Sequence, residues 1–383
     1  SELNVSVVVK ETDAPKAVNA IHQEFFHSAK KVINIFLVGT GNVGSALVRQ
    51  VMDRSAWFVG EYQTEFRITG LANTRRMIIR KEGIAGPDWK SLMMASDQKS
   101  NLEDFIGQMF SLNLPNTIFI DNTSSSDVSV IYERILEKSI SIVTSNKLAA
   151  SSSYENYSRL KRTAVSKRVQ FRFGSNVGAG LPVIHTIQNM VKTGDKILRI
   201  DAVLSGSLNY IFNSYSNGMR FSEAVLLALE NGYTEPDPLT DLRGVDIARK
   251  LLILVRESGF PLEASDIEFE DYLPGPVPER YDSAAFPSQM RDFDDFFERQ
   301  RADLSHRNEK IRIIAGYESG RASVRSVRVS AEHPFYCVEG NDNIVSVYSE
   351  RYSHQPLIIK GAGAGADVTA AGIFADILSV VNN

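Results

Sequence analysis

The stretch VINIFLVGTGNVGSALVRQV, residues 32–51, limits what this chain can fold into more than any other. An apolar strand runs into glycines at 39, 41 and 44, and a helical repeat of apolar residues follows. Gly39 lets the chain turn tightly, Gly41 leaves room for an anion against the backbone, and Gly44 lets helix and strand approach. The open amides of the new helix then favour negative charge. The pyrophosphate of a dinucleotide fits that arrangement, and a merely tight strand-to-helix turn uses the same three glycines.

The pattern continues in the same sense. FRITGLAN (66–73), TIFIDNT (117–123) and SIVTSN (141–146) read as short strands, with a helix at 127–138 between the last two. Strands alternating with helices require right-handed crossovers and predict an α/β fold, a Rossmann-type doubly wound parallel sheet. After VQFRFGSNVGAGLP (169–182) come amphipathic helices at 181–192, 221–231 and 242–258 and a strand at 197–206. The strands between 311 and 361 read as an antiparallel meander. A chain of 383 residues exceeds one ordinary core. We therefore expect a dinucleotide-binding domain at 32–170 and a second, α+β domain at 171–361.

Composition removes several alternatives. A net charge of -4 and a pI near 6.0 give no overall basic field for nucleic acid. Apolar runs such as INIFLV (33–38) and LLILV (251–255) fall far short of the roughly 20 residues a membrane helix needs. The first residues do not read as a secretion signal. A single cysteine, Cys337, forbids an internal disulfide and suits a reducing compartment, so a cytoplasmic location is expected. The six histidines include no i, i+4 pair for a transition metal.

Doubly wound sheets bind ligands at the carboxyl ends of their strands. After the second strand, GLANTRRM places Asn73, Arg75 and Arg76 where an acid would hold a ribose 2′-hydroxyl, which favours NADP over NAD. Ordinary surface arginines fit the same pattern. Thr123 and Ser124 stand at the next strand end and can face a cofactor, while Ser126 or Asp127 can cap the helix that follows. Lys147 follows another strand end, where a lysine is often simply solvated. In EPDPLTDLRGVDIARK (235–250), Glu235 and Asp237 sit in a turn set by prolines, and Asp241 reads as the N-cap of helix 242–258. Asp246 and Lys250 share a helix face at i, i+4. Arg243, Asp246, Arg249, Lys250, Arg256 and Glu257 fall in one arc, the pattern of a solvated face. By pattern alone this stretch is closer to an ordinary capped helix than to a reactive site.

Taken in order, GTGNVG, DNTSS, TSNK, NVGAGLP, LSGSLNYI (204–211), GYTEPDP…VDIARK (232–250) and GAGAGADVTAAG (361–372) resemble the homoserine dehydrogenase family across residues 32–383. Residues 1–31 are similar to the last strand and helix of an ACT regulatory domain, as in the bifunctional aspartokinase–homoserine dehydrogenases. The resemblance implies reversible reduction of L-aspartate 4-semialdehyde to L-homoserine by NADP or NAD. It implies Lys250 as proton donor, or base in the oxidative direction, with Asp246 orienting it and binding substrate. Glu235 would receive the substrate ammonium, Asp241 would support that network, and Lys147 would lie between cofactor and substrate. The cofactor would lie against Gly39, Gly41, Asn42, Val43, Gly44, Asn73, Arg75, Thr123, Ser124, Lys147 and Gly363, so that 362–383 completes the dinucleotide domain.

The resemblance also implies a homodimer built through the second domain, a fused aspartokinase, and a monovalent cation such as sodium on the carbonyls of Val177 and Ala179. Neither a nucleic acid nor a membrane partner is expected. Two departures stand out: Leu239 and Thr240 replace an Arg and an Asp of the family pattern, and Gly174 occupies the position of the cation-binding acid. A phosphorylating aspartate-semialdehyde dehydrogenase would instead need a cysteine nucleophile, for which only Cys337 is available. A non-catalytic sensing module would not need the carboxylate and lysine set.

Overall fold

The computed structural model describes residues 6–11, 14, 17, 18, 21, 30–84, 86, 88–234, 237–270, 272–275 and 280–382. The chain divides into two compact units, one of Ser1–Leu148, Ser158–Phe173 and Ile373–Asn383, the other of Ala149–Tyr157 and Gly174–Gly372. Most of the ACT-like segment expected at 1–31 lies outside the described residues. Of its expected strand, residues 6–10 form no strand, because a strand needs a neighbour for its backbone hydrogen bonds.

The first unit runs β1 (Lys31–Val38), α1 (Asn42–Tyr62), β2 (Thr64–Ala72), β3 (Met77–Ile79), α2 (Trp89–Met94), α3 (Leu102–Leu112) and β4 (Thr117–Asp121). It continues with α4 (Ser126–Ser129), α5 (Tyr132–Glu137), β5 (Ser141–Thr144), the part of α6 (Tyr154–Ser166) from Ser158 on, and β6 (Phe171–Arg172). The sheet order is β3-β2-β1-β4-β5-β6, parallel except where β3 pairs antiparallel with β2. Ile35, Phe36 and Leu37 of β1 are fully buried, as a central strand covered on both faces requires. The chain order reverses between β1 and β4, and a crevice for ligand opens beyond strand ends at such a reversal. The single helix expected at 127–138 is instead α4 and α5. Ser129 Oγ donates to the Ser126 carbonyl at 2.8 Å, and such local bonding competes with continuation of a helix.

The C-terminal residues of this unit pack into its core. Phe374 meets Phe58 and Phe66 in an edge-on cluster with ring centroids 5.6 Å apart in each case. Removing one such buried ring costs about 3–5 kcal/mol.

The second unit holds α7 (Val183–Lys192), β7 (Ile197–Val203), α8 (Gly206–Ser216), α9 (Phe221–Glu230), α10 (Pro238–Leu242), α11 (Val245–Glu257) and β8 (Ile267–Phe269). It continues with α12 (Phe286–Arg291), α13 (Asp294–Arg307), β9 (Glu309–Glu318), β10 (Arg321–Ser330), β11 (Asp342–Ser349), β12 (Leu357–Ala362) and the start of α14 (Ala366–Val381). The strands after 309 do not form the simple meander expected. The order is β12-β11-β7-β9-β10-β8, with β7 between β11 and β9. Ile200, Ala202 and Val203 of β7 are almost wholly buried, and a buried strand needs partners on both edges. The connection 331–341 is held by Arg312, 1% exposed, which donates to the carbonyls of Phe335 at 2.9 Å and of Tyr336 and Val338 at 3.0 Å. Burial pushes the Arg312 guanidinium down to about 10.

The helix expected at 242–258 is α11, which starts three residues later, at Val245, because Gly244 with φ 66 parts it from the short α10 ending at Leu242. Among the described residues no helix is long and apolar enough to cross a membrane.

Candidate active site

In the first unit the turns after β1 and β4 meet. Gly39 has φ +90, and a Cβ added there would lie 2.7 Å from the carbonyl carbon and oxygen of Asn122. At Gly44 an added Cβ would lie 2.0 Å from the Gly39 oxygen, so both glycines are required by packing. Gly41 differs: it precedes α1, and a Cβ there would meet nothing within 4 Å. The open side of the turn is therefore at Gly41, beside Asn42 and Val43, whose amides belong to the unpaired first turn of the helix. No acidic residue stands in that first turn to repel an anion. After β2, Asn73 Oδ1 accepts the amides of Arg75 at 2.8 Å and Arg76 at 2.9 Å, a turn that leaves the arginines exposed.

Asp121, which sequence reasoning passed over, organises the other two loops. Its carboxylate accepts from the Thr123 amide at 2.7 Å, the Tyr132 hydroxyl at 2.6 Å and Asn146 Nδ2 at 3.0 Å. It is fully buried, and burial raises its pKa above the ordinary carboxylate value. Asn146 also donates to the Ser125 carbonyl at 2.9 Å and accepts the Leu148 amide at 3.0 Å. One carboxylate thus ties the loop bearing Thr123 and Ser124 to the loop bearing half-buried Lys147. The helix cap here is Ser125, accepting the Asp127 amide at 3.2 Å, rather than Ser126 or Asp127. An acid ending a wholly apolar strand was the available signal.

In the second unit Lys250 is 9% exposed. Its Nζ lies 2.7 Å from Asp246 Oδ2 and donates to the Leu204 carbonyl at 2.7 Å. Asp241 is not the N-cap expected. It lies in the last turn of α10, whose cap is Asp237, accepting the Leu239 amide at 3.0 Å. Asp241 Oδ1 accepts from Ser207 Oγ at 2.6 Å, and Ser207 Oγ lies 2.9 Å from Ser205 Oγ. Lys250 and Asp241 therefore both reach the 204–207 turn that follows β7, and Ser205 and Ser207 were legible only as part of a motif. Glu235 lies outside the described residues. Of the two departures in this stretch, Leu239 is fully buried in the core and Thr240 is half-buried.

The solvated arc expected on this helix is only partly solvated. Arg249 is exposed, but Lys250, Arg256 and Glu257 are buried. Arg256 donates to the carbonyls of Ala150 at 3.0 Å, Ser152 at 2.7 Å and Leu262 at 3.0 Å. Glu257 accepts from the Tyr157 hydroxyl and from Gln188 Nε2 at 2.7 Å. Residues 149–157 cover that face, and the hydrogen bonds they supply let the charges be buried.

Gly363 packs on Asn343, where an added Cβ would lie 2.1 Å from Cγ. The residues expected to hold a monovalent cation do not form a charged cage. Val177 is buried, and Gly178 and Ala179 take φ 76 and 55, but the acid position is Gly174. The Ala179 carbonyl oxygen would stand 2.5 Å from a Cβ on Gly372, so α14 covers it.

Comparison with known proteins fits both units. The chain matches the family described as homoserine dehydrogenase over residues 182–378, and the homoserine dehydrogenase NAD-binding domain over 39–174. It is 37% identical to a bifunctional aspartokinase/homoserine dehydrogenase of Haemophilus influenzae, over 100% of this chain and 47% of that protein. The chain thus spans about half the length of the bifunctional relatives it matches. A homoserine dehydrogenase of Schizosaccharomyces pombe is 33% identical over 91% of this chain and 96% of its own. A solved hyperthermophilic archaeal homoserine dehydrogenase mutant in complex with NADPH is 25% identical, with a TM-score of 0.70, over 92% of this chain and 98% of that one. With a glycine turn suited to a dinucleotide in one unit and a buried lysine–carboxylate pair in the other, the chain belongs to the homoserine dehydrogenase family of NAD(P)-dependent oxidoreductases.

Proposed function

We propose that this chain interconverts L-aspartate 4-semialdehyde and L-homoserine, preferring NADP(H) to NAD(H), with Lys250 moving the proton. The observation that carries the reading is the Lys250 ammonium, buried and held at 2.7 Å by both Asp246 Oδ2 and the Leu204 carbonyl. Two of its three donors are engaged, which leaves one for a substrate oxygen. The nicotinamide, when bound, supplies or accepts the hydride. In reduction, negative charge grows on the aldehyde oxygen as C4 gains hydride, and Lys250 delivers the proton that completes the alcohol. In oxidation, neutral Lys250 takes the hydroxyl proton back.

Asp246 orients Lys250. Asp246 also binds substrate, Glu235 receives the substrate ammonium, a role suited to a carboxylate, Asp241 supports that network, and Lys147 contributes positive charge to the oxygens. The amides of Asn42 and Val43 beside Gly39, Gly41 and Gly44 suit the pyrophosphate, Arg75 with Asn73 the 2′-phosphate, and Thr123, Ser124 and Gly363 the rest of the dinucleotide. The exposed Arg75 and the absence of an acid at the end of β2 support NADP. The proposal includes a homodimer in a reducing cytoplasm and a parent chain that also carries an aspartokinase. A single thiol and an exposed Ile358 on edge strand β12 are consistent with this. A thioester route would need Cys337, exposed on the 331–341 connection, as its nucleophile, and activity that survives Cys337→Ser would discard it.

Steady-state oxidation of L-homoserine is expected to give a higher kcat/KM with NADP than with NAD. Lys250→Ala should still fold and bind NADPH while kcat falls on the order of 10²–10⁴-fold. A folded Lys250→Ala enzyme with near wild-type kcat in both directions would remove Lys250 from the proton transfer.

A further inference from the structure

Asn343 is fully buried at the start of β11. Ile344 pairs with Val203, so continuing that register puts Asn343 opposite Leu204. Its Nδ2 donates to the Leu204 carbonyl at a long 3.4 Å, and the same carbonyl accepts Lys250 Nζ at 2.7 Å. Its Oδ1 is buried without a hydrogen-bond partner. The amide is wedged against Gly363, where a Cβ would stand 2.1 Å from Oδ1, so the neighbouring backbone leaves it little freedom. A buried amide with an orphaned oxygen is a poor choice for stability alone, since an apolar side chain of the same shape avoids the desolvation penalty.

We propose that Asn343 is a positioning residue for Lys250, fixing the direction of the Leu204 carbonyl and through it the place of the ammonium. The inference rests on the proton role given to Lys250 above. Lys250 and Asn343 share one acceptor, so Nζ and Nδ2 lie no farther apart than those two distances combined. That is close to the range of roughly 4–6 Å over which an opposite charge favours an ionised group. Among the described residues, Asp246 on α11 pairs with the lysine at 2.7 Å, Asp241 on α10 reaches the same 204–207 turn through Ser207, and Asp342, next to Asn343 in the chain, has its carboxylate 4.0 Å from Lys360 Nζ. Glu235 lies outside the described residues.

The test compares Asn343→Leu, Asn343→Asp and Asn343→Ser by kcat for homoserine oxidation across pH, with melting temperature and NADPH affinity measured alongside. In the wild type kcat for oxidation should rise with pH, as general-base catalysis requires. Asn343→Asp places a negative charge beside the ammonium and should move that rising limb up by about one pH unit or more. Asn343→Leu should lower kcat about tenfold without an upward shift, and Asn343→Ser, which keeps a donor, should recover part of the loss. NADPH affinity, measured alongside, shows whether a variant also disturbs Gly363, on which Asn343 packs. An unmoved limb in folded Asn343→Asp, or equal kcat in the Leu and Ser variants, overturns the inference. Lys250→Ala separates the two readings: normal turnover there sinks the proton role itself, whereas lost turnover with an unmoved Asn343→Asp limb sinks only the role of Asn343.

Discussion

Gly41 and Gly44 look alike in the sequence and differ in the structure. A methyl group at Gly44 would drive into the Gly39 carbonyl, whereas one at Gly41 would enter open space. Gly44→Ala should therefore lower the melting temperature by several degrees, since overpacking costs about 1–3 kcal/mol. Gly41→Ala should leave melting within about 2 °C, since its Cβ would enter open space, and, if the proposed pyrophosphate site is right, weaken dinucleotide binding tenfold or more. Thermal melts and NADPH titration of the two variants check this; equal melting losses would show that Gly41 is a packing residue. The glycine positions were legible because the strand-to-helix turn is local. Asp121 was not, because Tyr132 and Asn146 arrive on its carboxylate from separate elements.

The elements around the catalytic candidates turn on Gly244. Periodicity predicts one helix at 242–258, since a single left-handed residue hardly disturbs the spacing of the charges around it. The helix instead begins only after Gly244, so that Asp241, expected as its N-cap, sits on the separate α10 and the Asp246–Lys250 pair on α11. Gly244→Ala forces a side chain into φ 66 and should cost about 1 kcal/mol or more. It should also lower kcat, because the break sets the approach of Asp241 and Lys250 to the 204–207 turn. Urea unfolding and turnover measured together provide the check, and an unchanged midpoint with unchanged kcat would mean that the break is incidental. The placing of β7 between β11 and β9 was illegible for a related reason: each strand reads correctly by itself, but pairing joins residues more than a hundred positions apart.

At the scale of the whole molecule, the charges on α11 divide into buried and exposed by what covers them. Arg256→Met would strand the carbonyls of Ala150, Ser152 and Leu262 and leave Glu263 without its 3.2 Å partner. We expect a loss of about 3–5 kcal/mol, whereas Arg249→Met on the exposed face should stay within about 0.5 kcal/mol. Calorimetry giving similar losses for both would contradict the division. The sequence by itself determined the parallel sheet, the glycine turn, and the pairing of Asp246 with Lys250, because each follows from spacing within one strand, turn or helix. Only the tertiary structure decided that Lys250, Arg256 and Glu257 are buried, that Asp121 ties two loops together, and that Asn343 reaches the carbonyl holding Lys250. Burial and long-range hydrogen bonding depend on which distant segments arrive, and the period of a single helix carries no record of them.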